Sequence, residues 1–308
     1  MIIPAQKPYL IILNKFSMKL LRALQMWWLK ITQNPRPSSH PFISGDSFRA
    51  LAKHIHDETG TFNPEDVARA DIVFVGNPQM EEYFQTIHKK IKYPYILIQH
   101  NGDFVVDQSI ASLIDDKIIC FFAQNTVIQH PKIIPIPIGV TNKYWSVAGM
   151  TWTYNKKNKL HKLPRILFSF SPETNPKERE PAIKYLLQHP CADKPEKFLA
   201  PNTHTKLLND YSFVASPPGQ GPESARTWEA LYMGTIPITK PFVGINYFEK
   251  LGLPIWIIDD WNELDVFTEE ELANRYAKMM NKASFHALSM EYWAKYINDK
   301  KLGSMDTF

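Results

Sequence analysis

The segment Ser216-Pro217-Pro218-Gly219-Gln220-Gly221-Pro222-Glu223-Ser224-Ala225-Arg226-Thr227-Trp228-Glu229-Ala230 runs from an apolar stretch through a Gly/Pro loop into a helical pattern. Gly219 and Gly221 let a ligand approach the backbone, the first-turn amides offer hydrogen bonds to an anion, and Arg226 adds a bidentate cation suited to a diphosphate. Glu229 lies one turn beyond Arg226, spaced to accept both hydroxyls of a ribose. The plain alternative is a surface ion pair between Arg226 and Glu229 behind an ordinary loop. A second loop, Phe168-Ser169-Phe170-Ser171-Pro172-Glu173-Thr174-Asn175-Pro176-Lys177-Glu178-Arg179, repeats the form. There Thr174 or Asn175 caps a helix and Arg179 is either a second phosphate cation or a solvated side chain.

Loops of this kind work only at the carboxyl ends of parallel strands, where helix N-termini also point. The sequence supplies the elements. Short apolar runs at 71–76, 95–99, 118–123 and 132–136 alternate with helical stretches at 46–57, 80–90 and 109–114. A second series follows, with strands at 165–170, 212–215, 236–239 and 255–258 and helices at 178–188, 223–233, 269–281 and 284–298. Continuous apolar strands separated by helices imply parallel sheets covered on both faces. The lysine-rich stretch 146–163, with little hydrophobic periodicity, predicts a solvated link between two bodies. The expected organisation is an N-terminal segment 1–39, an α/β unit 40–145, a connector 146–164, an α/β unit 165–283 and a C-terminal helix 284–308 that crosses back to the first unit.

With 308 residues, 44% of them hydrophobic, the chain is long enough for two cores. Cys120 and Cys191 form no C-x-x-C pattern, which leaves neither a disulfide framework nor a zinc knuckle and points to a reducing, cytoplasmic compartment. The net charge of +4 is uneven, because Lys7, Lys15, Lys19, Arg22, Lys30 and Arg36 all precede the first acidic residue, Asp46. The remainder is mildly acidic, which argues against a nucleic-acid partner. Residues 9–31 are interrupted by cations too often to span a bilayer and carry no cleavage site for a signal peptide. They form a basic amphipathic pattern, read either as a peripheral membrane contact with Trp27 and Trp28 at the interface or as a helix packed on the protein's own core.

The stretch 213–239, F-V-A-S-P-P-G-Q-G-P-E-S-A-R-T-W-E-A-L-Y-M-G-T-I-P-I-T, resembles the donor-binding signature of exostosin-type glycosyltransferases, in which Ser/Pro, an Arg, Glu-Ala and Gly-x-Ile-Pro recur in that order. The resemblance implies a GT-B fold: two Rossmann-like α/β domains whose parallel sheets face a cleft, the second holding a nucleotide sugar. It implies donor contacts by Ser216, Gly219, Gly221, Ser224, Arg226 and Glu229, with Arg226 on the phosphates and Glu229 on the ribose. Similar chains occur in large DNA viruses of algae. The 168–179 loop, with Thr174, Asn175 and Arg179, is similar to the Ser-Asn-then-Arg pattern of α1,3-fucosyltransferases, from which it departs by having Thr174 before Asn175.

Such a transferase needs a base for the acceptor hydroxyl. Asp103 and His100, in the loop Gln99-His100-Asn101-Gly102-Asp103, are candidates, and Asp46 is a rival that also reads as an N-cap. Arg49 and Asn101 are candidate acceptor contacts, and Trp145, Trp152 and Tyr154 could stack on sugar rings or simply pack. No D-x-D is present to hold a metal under a diphosphate, and no hydrolase or NTPase motif appears. The expected activity is inverting, metal-independent transfer from a UDP-sugar, with UDP-xylose favoured by the exostosin likeness, to a glycan. The alternatives are a GDP-fucose enzyme and a non-catalytic sugar- or nucleotide-binding protein.

Overall fold

The computed structural model describes Trp27 and residues 36–305 except 156, 157, 160 and 198. The amphipathic pattern at 9–31 therefore lies outside the described residues. Among those described, no helix is long and apolar enough to cross a membrane.

Two five-stranded sheets are present, and every strand pair in them is parallel, as the alternation of apolar runs and helices implies. The first sheet holds β1 (His54–His56), β2 (Ile72–Gly76), β3 (Tyr95–His100), β4 (Ile118–Ala123) and β5 (Ile133–Pro135) in sequential order. Its central strands are β-branched and aromatic runs, and their alternation divides the sheet between two cores. Phe74, Ile98 and Phe122 are in register on one face, while Val73, Val75, Leu97 and Phe121 lie in the core of the other.

Sequential strand order has a consequence for packing. Right-handed crossovers that always step the same way put every connection on one face. That face receives Met80, Tyr83, Phe84, Ile87 and Ala111 from the stretches between strands. The opposite face must be covered by chain from elsewhere. It is covered by Phe48 of α1 (Gly45–Arg49) and by Trp293 and Ile297 of the last helix, Met290–Met305, with Ile245 and Phe248 of the helix Val243–Lys250 in the same core. Trp293 meets Phe48 and Phe248 at ring-centroid distances of 6.2 and 6.3 Å, and Tyr296 meets Phe122 at 5.9 Å.

The second sheet has the order β10-β9-β8-β6-β7, with β6 Leu163–Leu167, β7 Ala192–Asp193, β8 Tyr211–Ala215, β9 Ile236–Thr239 and β10 Trp256–Ile257. The chain leaves β6 to one side for β7 and returns to its other side for β8. That reversal opens a crevice between the carboxyl ends of β6 and β8. The two loops singled out from the sequence are the ones that follow these two strands.

Several local expectations are corrected. Residues 46–57 are not one helix: α1 stops after Arg49, and His54–His56 pair with β2, since sheet pairing outweighs a weak helical period. Ser44, not Asp46, is the N-cap, its hydroxyl accepting the Ser47 N–H at 3.2 Å. The connector is not simply solvated, because Tyr154 is buried against Phe42 and Tyr232, at 5.5 Å from each. The final helix starts at Met290 rather than 284, after a single turn at His286–Leu288. Helices Pro201–Leu208 and Val243–Lys250 were not anticipated.

If the last helix closes the bare face of the first sheet, Trp293→Ala should cost about 3–5 kcal/mol of stability. Urea unfolding followed by circular dichroism measures this, and a loss below about 1 kcal/mol would show that the helix is dispensable there.

Candidate functional site

The loop after β8 leads into the helix Ala225–Tyr232, and the loop after β6 into the helix Pro176–Leu186. Arg179 ties the two loops together. Its Nε donates to Pro218 O at 2.8 Å, its Nη1 to Ser171 O at 2.9 Å, and it also bonds the Thr174 hydroxyl. Asn175 is the helix cap, accepting from Glu178 N at 3.4 Å, while its amide donates to Gly219 O at 2.9 Å. Thr174 is thus a partner of Arg179 and not the cap. Gly219 faces Arg179 so closely that a Cβ there would stand 3.0 Å from Nη2. Ser216 is buried, with its hydroxyl 2.9 Å from that of Thr227. Ser224 holds the N-cap position, but its side chain makes no capping bond.

Arg226 is brought to the same place. Its guanidinium carbon lies 5.6 Å from the centroid of the Phe170 ring and that of Arg179 lies 5.7 Å from it. One N–H of Arg226 is used, Nη2 to Ser169 O at 2.9 Å, whereas Nε and Nη1 are sealed from solvent without a partner. Among the described residues neither arginine forms an ion pair, so the Arg226–Glu229 surface pair is not what the fold builds. Burial pushes the Arg226 guanidinium down to about 10, with Glu229 opposing the drop and Arg179 adding to it. It remains a cation at neutral pH. Glu229 is raised by burial, countered by Arg226 and by a hydrogen bond from Tyr154. His204, on the helix Pro201–Leu208, was missed by the sequence reading. Burial and the Arg226 charge push it down to about 4, and its Nε2 is sealed without a partner. Two desolvated cations, neither in salt-bridge contact with a carboxylate among the described residues, and a neutral imidazole make a site for an anion.

Glu223 is a second residue that sequence spacing did not single out. Its Oε1 accepts the Ile138 N–H at 2.9 Å and the Trp228 indole N–H, binding the donor-type loop to the first unit. Burial pushes its carboxyl up to about 8, and Oε2 has no partner. At Gly221 the two units touch: a Cβ there would stand 2.7 Å from Asn125 Nδ2 and 3.1 Å from Asp103 O.

The first-unit candidates separate clearly. His100 has both ring nitrogens occupied, Nε2–H donating to Pro137 O at 3.0 Å and Nδ1 accepting the Asn101 N–H at 2.7 Å. Burial holds it at about 4, so it is a neutral structural residue with no nitrogen free for a proton. Asp46 is fully buried, its Oδ1 accepting from Arg36 Nε at 2.9 Å and Asn101 Nδ2 at 3.2 Å; burial raises its pKa and Oδ2 is unpartnered. Asp103 is exposed and its carboxylate makes no hydrogen bond among the described residues. Arg49 is bound to Asp57 at 2.6 Å through Nε and to Thr59 at 2.8 Å through Nη2. Asn101 bridges Asp46 and Asn142, accepting from Asn142 Nδ2 at 2.8 Å. Of the aromatic residues, Trp145 and Trp152 are exposed, whereas Tyr154 is buried beside Glu229. Among the described residues no group of three or more His, Cys, Asp or Glu is placed to hold a metal.

No protein-family model and no curated protein matches this sequence. Among solved structures, a mutant of S. aureus TarM in complex with fondaparinux, α-GlcNAc-glycerol and UDP is similar at 13% identity, covering 77% of this chain and 55% of that one, with a TM-score of 0.41. The chain thus spans about half the length of TarM. The apo structure of OtsA is similar at 10% identity over 76% of this chain and 74% of its own, TM-score 0.47. An α,α-trehalose 6-phosphate synthase from Burkholderia multivorans is similar at 9% identity over 78% and 72%, TM-score 0.44. Likenesses this distant carry neither a substrate nor a residue's role to this chain.

An unpaired, desolvated cation burdens the empty protein. Arg226→Met should therefore raise the thermal unfolding midpoint by several degrees. Pyrophosphate, which should stabilise the wild type by mass action, should lose that effect in the variant. Differential scanning fluorimetry reads both, and a lowered midpoint with pyrophosphate still stabilising would show that Arg226 is structural.

Proposed function

We propose that the chain is a GT-B glycosyltransferase that transfers a monosaccharide from a UDP-sugar to a glycan hydroxyl. The observation that carries this is Arg226 at the switch point of the second sheet, with Nε and Nη1 dry and unpaired beside a second cation. A nucleoside diphosphate supplies the missing negative charge. Its ribose reaches Glu229, one turn further along the same helix. Because Gly221 abuts Asn125 and Asp103, donor entry parts the 219–224 loop from the first unit. Arg179, whose Nε and Nη1 are spent on loop oxygens, contributes its field and holds the pocket in shape.

Asp103 is the base in this scheme. It is the solvent-accessible carboxylate at the seam, and it takes the acceptor proton as the hydroxyl attacks the anomeric carbon, with inversion. Arg226 stabilises the departing diphosphate without a metal. The sugar is proposed as xylose on the strength of the exostosin likeness alone. Binding of GDP in place of UDP would move the assignment to the fucosyl alternative that the Asn175/Arg179 loop suggests.

Isothermal titration of UDP and GDP tests the donor site. Arg226→Ala and Glu229→Ala should each weaken nucleotide binding by about 1.5 to 3 kcal/mol with the fold retained. Unchanged affinity would assign that side chain to structure. Asp103→Asn should keep nucleotide affinity and lower turnover by about 100-fold or more, and a fully active variant would pass the role to Asp46. Turnover should persist in EDTA; loss on chelation, restored by manganese, would refute the metal-independent mechanism.

A further inference from the structure

Phe104 is 68% exposed, at the tip of the loop between β3 and the following helix. A lone exposed phenylalanine is ordinary on a loose loop. This loop is pinned. Asn77, at the end of β2, clamps both backbone groups of Phe104: its Oδ1 accepts the Phe104 N–H at 3.0 Å and its Nδ2 donates to Phe104 O at 3.1 Å. Gly102 O accepts from Gln124 Nε2 at 2.8 Å and Asn125 Nδ2 at 3.3 Å. The Val106 N–H donates to Asn125 O at 3.0 Å. Asn77, Gln124 and Asn125 are all buried. Asn101 and Asn125 both have left-handed backbones, at φ 67° and 54°, a turn conformation that asparagine tolerates better than other non-glycine residues. The ends of two strands, β2 and β4, thus spend buried carboxamides on fixing one short loop, yet Asp103, Phe104 and Val105 at its tip face solvent.

A fixed backbone that presents an aromatic residue next to a carboxylate, with the ordering entropy of the loop already met by the fold, is an arrangement that favours ligand binding. The tip also stands where the two units meet, since Asp103 O is 3.1 Å from the position of a Cβ on Gly221. We propose that Phe104 is the floor of the acceptor subsite and takes the apolar face of a saccharide ring, while Asp103 beside it faces the hydroxyl that reacts. The assignment rests on the glycosyltransferase reading. A sugar suits the tip better than a protein does: the apolar surface is confined to Phe104 and Val105, far below the roughly 800 Å² that each partner buries in a specific protein interface. Asn77 is a positioning residue for the ring.

Saturation-transfer NMR on the full chain with UDP or GDP bound, against methyl glycosides of glucose, galactose, mannose, xylose, fucose and rhamnose, tests the subsite. At least one glycoside should bind. Phe104→Ala should weaken it by about 10-fold or more, Phe104→Trp should retain it, and Asn77→Ala, which leaves the ring but frees its backbone, should weaken it as well. Nucleotide affinity should be unchanged in Phe104→Ala and Phe104→Trp, which also shows that they fold. If the wild type binds nucleotide but no glycoside, or if Phe104→Ala binds glycoside as the wild type does, the subsite is refuted and the donor site stands. If the wild type binds neither UDP nor GDP, the glycosyltransferase reading itself fails.

Discussion

Two guanidinium groups share one face-lining phenylalanine under the crevice of the second sheet, and among the described residues no carboxylate is in salt-bridge contact with either. Burying a cation without a counter-ion is among the costlier things a fold can do. The surroundings show how this one manages it. Arg179 is satisfied by loop oxygens from both sides, which converts its charge into a staple between the loops after β6 and β8. Arg226 is left incomplete, with one hydrogen bond to Ser169 and two nitrogens, Nε and Nη1, unpartnered. That incompleteness lies at the point where strand order reverses.

The two sheets solve different problems with the same parallel pairing. The second reverses direction and so creates a crevice. The first winds one way and creates none; it acquires a bare face instead, which Phe48, Trp293 and Ile297 cover. The covering helix belongs to the far end of the chain, so closing the first unit joins it to the second. Tyr232 reinforces the join by accepting the Ile43 N–H and donating to Leu288 O, both at 2.9 Å. Glu223 does the same at the donor-type loop through Ile138. The seam between units is therefore built of specific hydrogen bonds as well as a shared apolar core, and small shifts there act on the loop that carries Gly221.

In the first unit, the loop after β3 rests on carboxamides. Asn77, Gln124 and Asn125 satisfy backbone groups of the 101–106 loop, while Asn101 and Asn142 bond each other and Asp46. Neutral side chains suit that work, because each amide both donates and accepts and none adds charge near Asp103. Asp46 sits beneath them, held by Arg36 and Asn101.

Local sequence determined the elements. Runs such as Ile72–Gly76 and Tyr95–His100 are buried on both sides, and their β-branched and aromatic residues accept only a central parallel strand. The Gly/Pro loop entering a helix at Arg226 was legible for the same reason: a glycine's backbone freedom and a helix start are properties of a few adjacent residues. Tertiary structure alone decided which charges are free. Arg49, Arg179 and Arg226 look alike in sequence, yet Asp57 takes the first, loop carbonyls the second, and nothing completes the third. His100 lost its candidacy to a carbonyl 37 residues away. The Phe104 backbone is held by Asn77, 27 residues before it. Such pairings depend on strand order and register, and those are set by which faces must be covered, a balance struck over the whole chain that no local window contains.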